Sequence, residues 1–368
     1  MAELGYALPQ LLKALLDEKG SDLHISPASP PRFRVNGNLI PLNLTAMTPS
    51  DTKSLIYSVL TEKQKKLFEE RMELDFALSL KGVARFRVNI YTQKAAVSGV
   101  FRLISTQIPS LVSLNLPKKI VDLIKSPRGL FLVCGPTGSG KTTSLAAMID
   151  YINETRNSHI LTIEDPVEYV HSHKNCLVNQ REVGSDTHSF SSALRSALRE
   201  DPDIILVGEM RDPETIALAI TAAETGHLVF GTLHTNSCVG ALNRIIDVFP
   251  PHQQSQVRTQ LSFSLVAVMT QQLVSSSKGG RVLATELLIP NVAIRSNIRE
   301  DKLQAIYSSM QSGQEQTGMS TLNQSLVDLV KKKLITTEQA FDTCYERNEL
   351  EDLISKMLMT SAGSGTRK

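Results

Sequence analysis

The stretch GPTGSGKTT, residues 135–143, constrains the fold of this chain more than any other segment. It fits the phosphate-loop pattern G-x-x-x-x-G-K-[ST], in which glycines let the backbone turn tightly so that its N–H groups point at phosphate oxygens. Lys141 is expected to reach the β- and γ-phosphates of a nucleotide, and the Thr142 hydroxyl to hold Mg²⁺. The predicted nucleotide-binding residues are Gly135, Pro136, Thr137, Gly138, Ser139, Gly140, Lys141, Thr142 and Thr143.

The segments on either side of this loop give it the expected context. The apolar run GLFLVC, residues 129–134, is typical of a buried strand that enters the loop. Beyond the loop, Leu145, Met148, Ile149 and Ile152 recur at helical spacing, and the N-terminus of a helix is itself favourable for anions. A glycine-rich turn with an ordinary lysine would need neither the strand nor the helix. The sequence therefore predicts a site for a nucleoside triphosphate.

Composition and charge narrow the class of protein. The 368 residues can form two or three domains, and 41% hydrophobic and 21% charged residues are ordinary for a soluble globular protein. A net charge of +2 gives no reason to expect nucleic acid as a partner. We find no signal peptide and no apolar stretch of about 18–20 residues, so we expect a cytoplasmic protein that reaches a membrane only through a partner.

The cysteines argue against two kinds of site. They are far apart and form no C-x-x-C pair, which favours reduced core thiols over a disulfide framework or a zinc site. The cysteines are Cys134, Cys176, Cys238 and Cys344.

The first hundred residues predict a compact α+β domain, residues 1–104. Leu8 to Leu16 form one apolar helix face, and a helical region is expected from Thr48 to about Arg71. Asn36-Gly37 is a strong hairpin signal. The predicted strands are Asp22–Ser26, Arg32–Val35, Asn38–Leu42, Glu73–Leu80, Val83–Tyr91 and Ala95–Ile104, with Lys81-Gly82 turning between the fourth and fifth.

Residues 105–117 contain two prolines without clear periodicity and predict a linker. In the remaining domain, residues 118–368, strands alternate with helices, which is typical of a parallel sheet. Strands are predicted at His159–Glu164, Asp203–Gly208 and Leu228–His234, with helices at 190–198 and from Asp212 to Gly226. From Val239 onward we expect a mostly helical region, and from about residue 360 a disordered polar tail.

Two acids are candidates for chemistry at strand ends, where ligands bind in α/β sheets. Glu164 could hold Mg²⁺ or orient water, although a solvated turn would explain it as well. Glu209 ends the apolar strand IILVGE, which lacks the usual Walker B aspartate. It could polarise the attacking water or hold the metal through water, or it could simply pair with Arg211 or Arg199.

Histidines and arginines give weaker signals. His227 and His234 are seven positions apart, so at least one lies beyond the end of the strand between them, and either could sense the γ-phosphate. Arg85, Arg87 and Arg102 alternate with apolar residues, which by itself favours the solvated face of an antiparallel sheet.

With these motifs in the order in which they occur along the sequence, the chain resembles the secretion-ATPase superfamily of type II and type IV systems. The matching segments are GSDLHI, RVNG, GPTGSGKTT, ILTIEDPVEY, LRSALREDPDIILVGEMRDPET and TGHLVFGTLHTNS. Two features are similar to the retraction motors of type IV pili in particular: the tetracysteine zinc insert is absent, and residues 293–300, AIRSNIRE, look like the AIR-type motif.

The resemblance implies a hexameric ring with a PAS-like α+β N-terminal domain, a RecA-like P-loop ATPase domain and a helical C-terminal region. It implies hydrolysis of Mg²⁺-bound ATP and an approach of N-terminal-domain arginines to the nucleotide, which makes Arg87 and Arg102 candidate arginine fingers. Between the two acids we favour Glu209 over Glu164 as the catalytic acid. The resemblance also implies that the AIR-type segment is needed for work rather than for hydrolysis. Our hypothesis is that this segment couples ring motion to the membrane platform, through Arg295 and Arg299 or by transmitting domain movement.

The implied work is retraction of the pilus in twitching motility, by disassembly of pilin at a PilC-like platform on the cytoplasmic face of the inner membrane. A PilU-like paralogue is a further implied partner. The alternatives are an assembly or secretion ATPase of the same superfamily and a nucleotide-sensing structural ring; the balanced charge argues against a DNA translocase.

Overall fold

The computed structural model describes residues 6–80, 84–104, 107–312 and 314–363. None of the helices in these ranges has both the length and the apolar character to cross a bilayer. The chain divides into two compact units: Met1–Gln107 with Glu168–Val170, and Ile108–Val167 with His171–Lys368. The domain limits at 104 and 118 stay a prediction, and the predicted turn at Lys81-Gly82 lies outside the described residues.

In its described residues, the first unit contains a six-stranded antiparallel sheet and three helices. The sheet order is β3-β2-β1-β6-β5-β4. Its helices are α1 (Leu8–Asp17), α2 (Pro49–Tyr57) and α3 (Glu62–Arg71). Its strands are β1 (Asp22–Ile25), β2 (Arg32–Val35), β3 (Asn38–Pro41), β4 (Glu73–Leu80), β5 (Ala84–Gln93) and β6 (Ala96–Ile104).

Local sequence signals account for most of this unit. Asn36 and Gly37 both have positive φ, 51° and 84°, as the two central residues of a type I′ hairpin require. The predicted helical region to Arg71 consists of two helices, α2 and α3, with a break between Tyr57 and Glu62. There the Thr61 side chain accepts the Gln64 backbone N–H and begins a second helix with a capping box.

The second unit is built on a seven-stranded sheet. Its order is β13-β12-β7-β11-β10-β8-β9, and neighbours pair in parallel except for β12 and β13. The strands are β7 (Gly129–Cys134), β8 (His159–Glu164), β9 (Leu177–Glu182), β10 (Ile204–Val207), β11 (Leu228–Leu233), β12 (Leu265–Ser275) and β13 (Arg281–Leu288).

Helices surround this sheet and continue beyond it. The first six are α4 (Ile120–Leu123), α5 (Lys141–Thr155), α6 (Phe190–Ala197), α7 (Pro213–Glu224), α8 (Cys238–Asp247) and α9 (Pro251–Ser264). The rest are α10 (Val292–Arg299), α11 (Gln304–Met310), α12 (Gln314–Thr317), α13 (Leu322–Lys331), α14 (Thr337–Thr343) and α15 (Arg347–Gly363).

The core lies on both faces of the sheet. Apolar side chains of α5 pack in one cluster, and those of α6, α7 and α8 pack in another, which gives a helix–sheet–helix sandwich. Residues 129–134 of β7 are entirely buried, because the strand lies between β11 and β12 and is covered on both faces. Such strands read as continuous apolar runs, which is why GLFLVC was recognisable.

The C-terminal half contains a hairpin that the sequence did not reveal. The region after Val239 is mostly helical, as predicted, but β12 and β13 pair within it; β12 is buried beside β7, so its apolar run has no strand-like alternation. Helix α15 extends to Gly363, residues 364–368 lie outside the described part of the chain, and the disordered tail expected from about residue 360 stays a prediction.

Candidate nucleotide-binding and catalytic site

The phosphate loop leaves the carboxyl end of β7 between two neighbouring strands. Cys134, the last residue of β7, lies opposite Leu233 of β11 and Thr270 of β12. The loop glycines 135, 138 and 140 have φ values of 142°, 78° and 88°. A Cβ at Gly135 would also come within 2.4 Å of the Gln271 carbonyl oxygen, so both conformation and space require glycine there.

Lys141 begins α5 and turns back into the loop. Its ammonium Nζ donates to the carbonyl oxygens of Gly135 at 2.8 Å and Pro136 at 3.1 Å. The side chain is buried, while residues 136–138 at the loop tip are exposed. Thr142 and Thr143 follow in the first helical turn, where backbone N–H groups have no partner within the helix. The nine predicted nucleotide-binding residues thus form one loop and helix start with the donors that phosphate needs.

Glu209 follows β10, two strands from β7 at the same edge of the sheet. Its carboxylate accepts a hydrogen bond from Arg211 at 2.7 Å and lies 3.1 Å from His234 Nε2. Burial raises the pKa of Glu209, but Arg211, with smaller contributions from His234 and Lys141, more than offsets it and lowers the pKa below the ordinary value. The Glu209 carboxylate is therefore ionised at neutral pH, and the charge of Lys141 contributes to the lowering of its pKa.

A cavity of ≈ 420 Å³ opens beside this carboxylate. Its lining residues are Glu209, Met210, Arg211, Leu233, His234, Thr235 and Arg244. Water can therefore reach Glu209 from one side, and the cavity presents both a proton acceptor and cationic side chains to whatever occupies it.

Glu164 is more deeply placed than Glu209. It ends β8, the strand next to β10, and Gly208 N donates to the Ile163 carbonyl at 2.7 Å, so both acids lie at one edge of the sheet. The buried Glu164 carboxylate accepts hydrogen bonds from Thr162 Oγ1 at 2.6 Å and Gln180 Nε2 at 3.1 Å. These bonds hold its orientation and favour a structural or metal-orienting role over proton transfer.

The two histidines lie at opposite ends of β11. His234 follows the carboxyl end, and its Nε2 lies 3.1 Å from the Glu209 carboxylate. His227 precedes the strand, about 20 Å away along six residues, and its Nδ1 is 2.9 Å from the Ala222 carbonyl oxygen. The structure therefore does not bring His227 to the phosphate loop of its own chain, and its contacts are those of a residue that ends α7.

The candidate arginine fingers belong to a cross-strand row in the first unit. Four residues on neighbouring strands lie opposite one another in this row: Arg34 on β2, Asp22 on β1, Arg102 on β6 and Arg87 on β5. Asp22 is buried and bonds Arg102 Nε at 2.7 Å; burial raises the Asp22 pKa, but Ser21 and Arg102 outweigh this and lower it. Arg87 is exposed and forms no ion pair within the described residues. Since like charges directly opposite each other destabilise a sheet, the Arg87–Arg102 pair has a cost that a function would explain.

Three residues of the site were not predicted from the sequence. Gln271 Nε2 donates to the Ser139 carbonyl at 2.8 Å, Thr232 Oγ1 donates to the Gly208 carbonyl, and Arg244 lines the Glu209 cavity. Gln271 lies on β12, a strand that the sequence did not reveal. The other two are an uncharged strand residue and a helical arginine, and only the tertiary arrangement distinguishes them.

The AIR-type segment forms α10, and its two arginines have different environments. Ile294 and Ile298 are buried, as the spacing predicts. Arg295 is half-buried and donates to the carbonyl oxygens of Ser262 and, at 3.0 Å, Leu265, where α9 ends. It therefore satisfies carbonyl groups that the helix leaves unpaired. Arg299 is exposed, with its guanidinium 5.6 Å from the centre of the Phe263 ring.

Replacing Arg295 with alanine is expected to destabilise the second unit by about 2 kcal/mol, because bonds from a charged donor to partly buried carbonyls are lost. Arg299→Ala, which removes an exposed contact with one ring and a 3.5 Å hydrogen bond to Ser262 Oγ, should cost less than about 1 kcal/mol. Chemical unfolding followed by circular dichroism measures both. Equal stability of the two variants would contradict the role given to Arg295.

The sequence and fold of this chain have close counterparts in known proteins. A family model described as type II/IV secretion system protein matches residues 4–349. The chain belongs to this family. The type IV pilus retraction ATPase PilT of Pseudomonas aeruginosa is 52% identical over 333 residues, which are 90% of this chain and 96% of that protein. A twitching motility protein of Neisseria gonorrhoeae is 51% identical over 311 residues, 84% of this chain and 83% of that protein.

A crystal structure described as the pilus retraction motor PilT with bound ADP has the same fold. Its TM-score is 0.89 at 49% identity, over 94% of this chain and 99% of that one. The predicted fold class, an α+β N-terminal domain followed by a P-loop α/β domain with a helical C-terminal region, is confirmed. The predicted membership of the type II/IV secretion ATPases is confirmed as well.

Proposed function

We propose that this chain hydrolyses ATP and uses the energy to retract type IV pili in twitching motility. The observation that carries the proposal is the placement of an intact phosphate loop and an ionised, water-accessible Glu209 at one sheet edge of a secretion ATPase. The choice of retraction over assembly is supported by the relatives, since the protein with 52% identity over nearly its full length is a retraction ATPase.

In this mechanism each residue acts through its own chemistry. The N–H groups of the phosphate loop and of the start of α5 bind the phosphates, and Lys141 leaves its carbonyl partners to neutralise them. Glu209 accepts the proton of the attacking water, and His234 and Arg211 keep its carboxylate ionised and oriented. Glu164, held by Thr162 and Gln180, would orient water around Mg²⁺.

Mg²⁺ fits the donors at this edge. No group of three His, Cys, Asp or Glu side chains in the described ranges is arranged to hold a metal. Mg²⁺ bound with a nucleotide needs no such group, because phosphates and waters complete its coordination and the protein adds one or two oxygens. The Thr142 hydroxyl would hold it directly, with the carboxylates of Glu209 and Glu164 acting through water. The ion would draw charge from the phosphate that is transferred.

We further propose that the motor is a homohexamer at the cytoplasmic face of the inner membrane, acting on a PilC-like platform protein and alongside a PilU-like paralogue. In such a ring, a neighbouring subunit would supply Arg87 or Arg102 to the nucleotide. Arg87 is the stronger candidate because it is exposed and unpaired within the described residues, whereas Arg102 is held by Asp22.

Deletion of the gene, followed by imaging of surface pili, tests the proposed function. We expect cells with many pili that do not retract, and restoration of retraction by the wild-type gene. Cells without pili would instead indicate an assembly motor. A purified wild-type protein that binds ATP without releasing phosphate would indicate a nucleotide-sensing ring.

The arginine assignment predicts complementation between subunits. Arg87→Ala and Lys141→Ala proteins should each hydrolyse little ATP, yet mixed rings should recover part of the wild-type rate, because some interfaces regain both groups. Phosphate release from rings of known composition measures this recovery. The matched control replaces the Lys141→Ala partner with an Arg87→Ala/Lys141→Ala double variant, which restores no interface. Recovery equal to that control would return Arg87 to the role of a solvated surface residue.

A further inference from the structure

Gln271 contacts the phosphate loop from β12, the neighbour of β7 on the side opposite β11. Strand β12 pairs in parallel with β7 up to Thr270 and Cys134, so Gln271 lies beside Gly135, the first loop residue. Its backbone carbonyl is the atom that excludes a side chain at Gly135. Its side chain reaches the other end of the loop, where Nε2 donates to the Ser139 carbonyl at 2.8 Å. One residue therefore contacts both ends of the phosphate loop.

The orientation of the Gln271 amide follows from this bond. A carbonyl oxygen can only accept, so the Gln271 atom that faces Ser139 must be the donor Nε2. The remaining atom, Oε1, is buried without a hydrogen-bond partner within the described residues, as is the Ser139 hydroxyl. Gln271 is 1% exposed. A buried polar side chain with one unpaired end is costly, which indicates a role for the end that is paired.

That paired end sets the direction of a phosphate-binding group. In a trans peptide the C=O and the following N–H point in opposite directions. Holding the Ser139 carbonyl toward β12 therefore turns the Gly140 N–H away from β12. Gly140 caps α5 with a φ of 88°, a conformation that needs external support to remain the single populated one. The bond from Gln271 supplies such support.

We propose that Gln271 is a positioning residue, which fixes the Ser139–Gly140 peptide so that the phosphate loop is ready to bind a nucleotide. The inference deepens the proposed function and rests on it, since the loop must bind a nucleotide. Gln271 itself touches no phosphate. Its contribution is to reduce the rearrangement that binding would otherwise require.

Nucleotide affinity tests the proposal, with Mg·ADP as the probe and isothermal titration calorimetry as the method. Gln271→Leu keeps the approximate volume but leaves the Ser139 carbonyl unpaired, so its Kd should rise about tenfold. In phosphate-release kinetics the KM for ATP should rise more than kcat falls. The matched control is Gln272→Leu, one residue along β12, where the side chain contacts Tyr345 instead; its Kd should stay within about twofold of wild type.

A second variant, Gln271→Glu, tests the hydrogen bond itself through the pH dependence of nucleotide affinity, which a merely structural role would not change. In Gln271→Glu the ionised carboxylate cannot donate to Ser139, but the protonated acid can. The affinity of this variant relative to wild type at the same pH should therefore be low at pH 8 and recover as the pH falls toward 5. This comparison remains decisive if Gln271→Leu does not fold.

The outcomes separate the inference from the proposed function. If the wild-type protein fails to bind Mg·ADP, the proposed function is wrong. If wild type binds and either Gln271→Leu keeps its affinity or Gln271→Glu shows no recovery at low pH, only the positioning role is overturned.

Discussion

Replacing Lys141 with alanine is expected to reduce ATP turnover by about 10²–10³-fold, the cost of removing one preorganised electrostatic group from a reacting site. The effect should be large because Lys141 is the buried cation already directed into the phosphate loop, with its ammonium 2.8 Å from the Gly135 carbonyl oxygen. Phosphate release by the purified variant measures the loss, and calorimetry with Mg·ADP should show weaker binding.

Lys125→Ala is the control for this prediction. Lys125 is an exposed lysine of the same unit, and its replacement should leave turnover within about twofold of wild type. Near-normal turnover of the Lys141→Ala protein would refute the assignment of the site itself, since no other described lysine enters the loop.

Replacing Glu209 with glutamine should lower kcat by about 10²–10⁴-fold, because the amide cannot accept the proton of the attacking water. Binding of Mg·ATP should persist, since the phosphate loop is unchanged. Glu214→Gln, a change of similar size in an exposed residue of α7 that pairs with Arg195, serves as the control. If Glu164→Gln stalls turnover while Glu209→Gln remains active, the roles of the two acids are exchanged.

The lowered pKa of Glu209 adds a pH dependence with a definite sign. A base works only when ionised, so kcat/KM should fall as the pH decreases through its pKa in the free enzyme. Since Arg211, His234 and Lys141 bring that pKa below the ordinary value of 4.5, activity should persist to more acidic pH than an unperturbed glutamate would allow. Arg211→Ala, which removes the strongest of these partners, should move the acidic limb to higher pH.

Short sequence patterns were sufficient to predict many of the helices and strands and the phosphate loop of the site. Residues 129–152 predicted the strand, loop and helix because each has a pattern confined to a few positions. Asp212 likewise predicted the start of α7, and its side chain accepts the Thr215 N–H at 2.9 Å.

Other features could not be predicted, because they depend on contacts between residues that are distant in sequence. His227 and His234 are equivalent in a linear reading, and only the direction of β11 separates them. Arg295 reads like Arg299, but the end of α9, 30 positions earlier, makes it a structural residue. The hairpin of β12 and β13 escaped recognition because its first strand is buried on both faces and lacks the alternation of an exposed strand.

The position of β12 beside β7 has a consequence for how the protein is made. The Ser139 carbonyl and its donor Gln271 are 132 positions apart, which at about 5–20 residues per second is roughly 7–26 s of synthesis. During that interval the phosphate loop has left the ribosome without the strand that flanks it. A nascent chain that ends before residue 265 therefore leaves the edge of β7 that pairs with β12 without its partner strand. Chaperone dependence during translation should accordingly end with the emergence of β12 rather than with that of the nucleotide-binding motif.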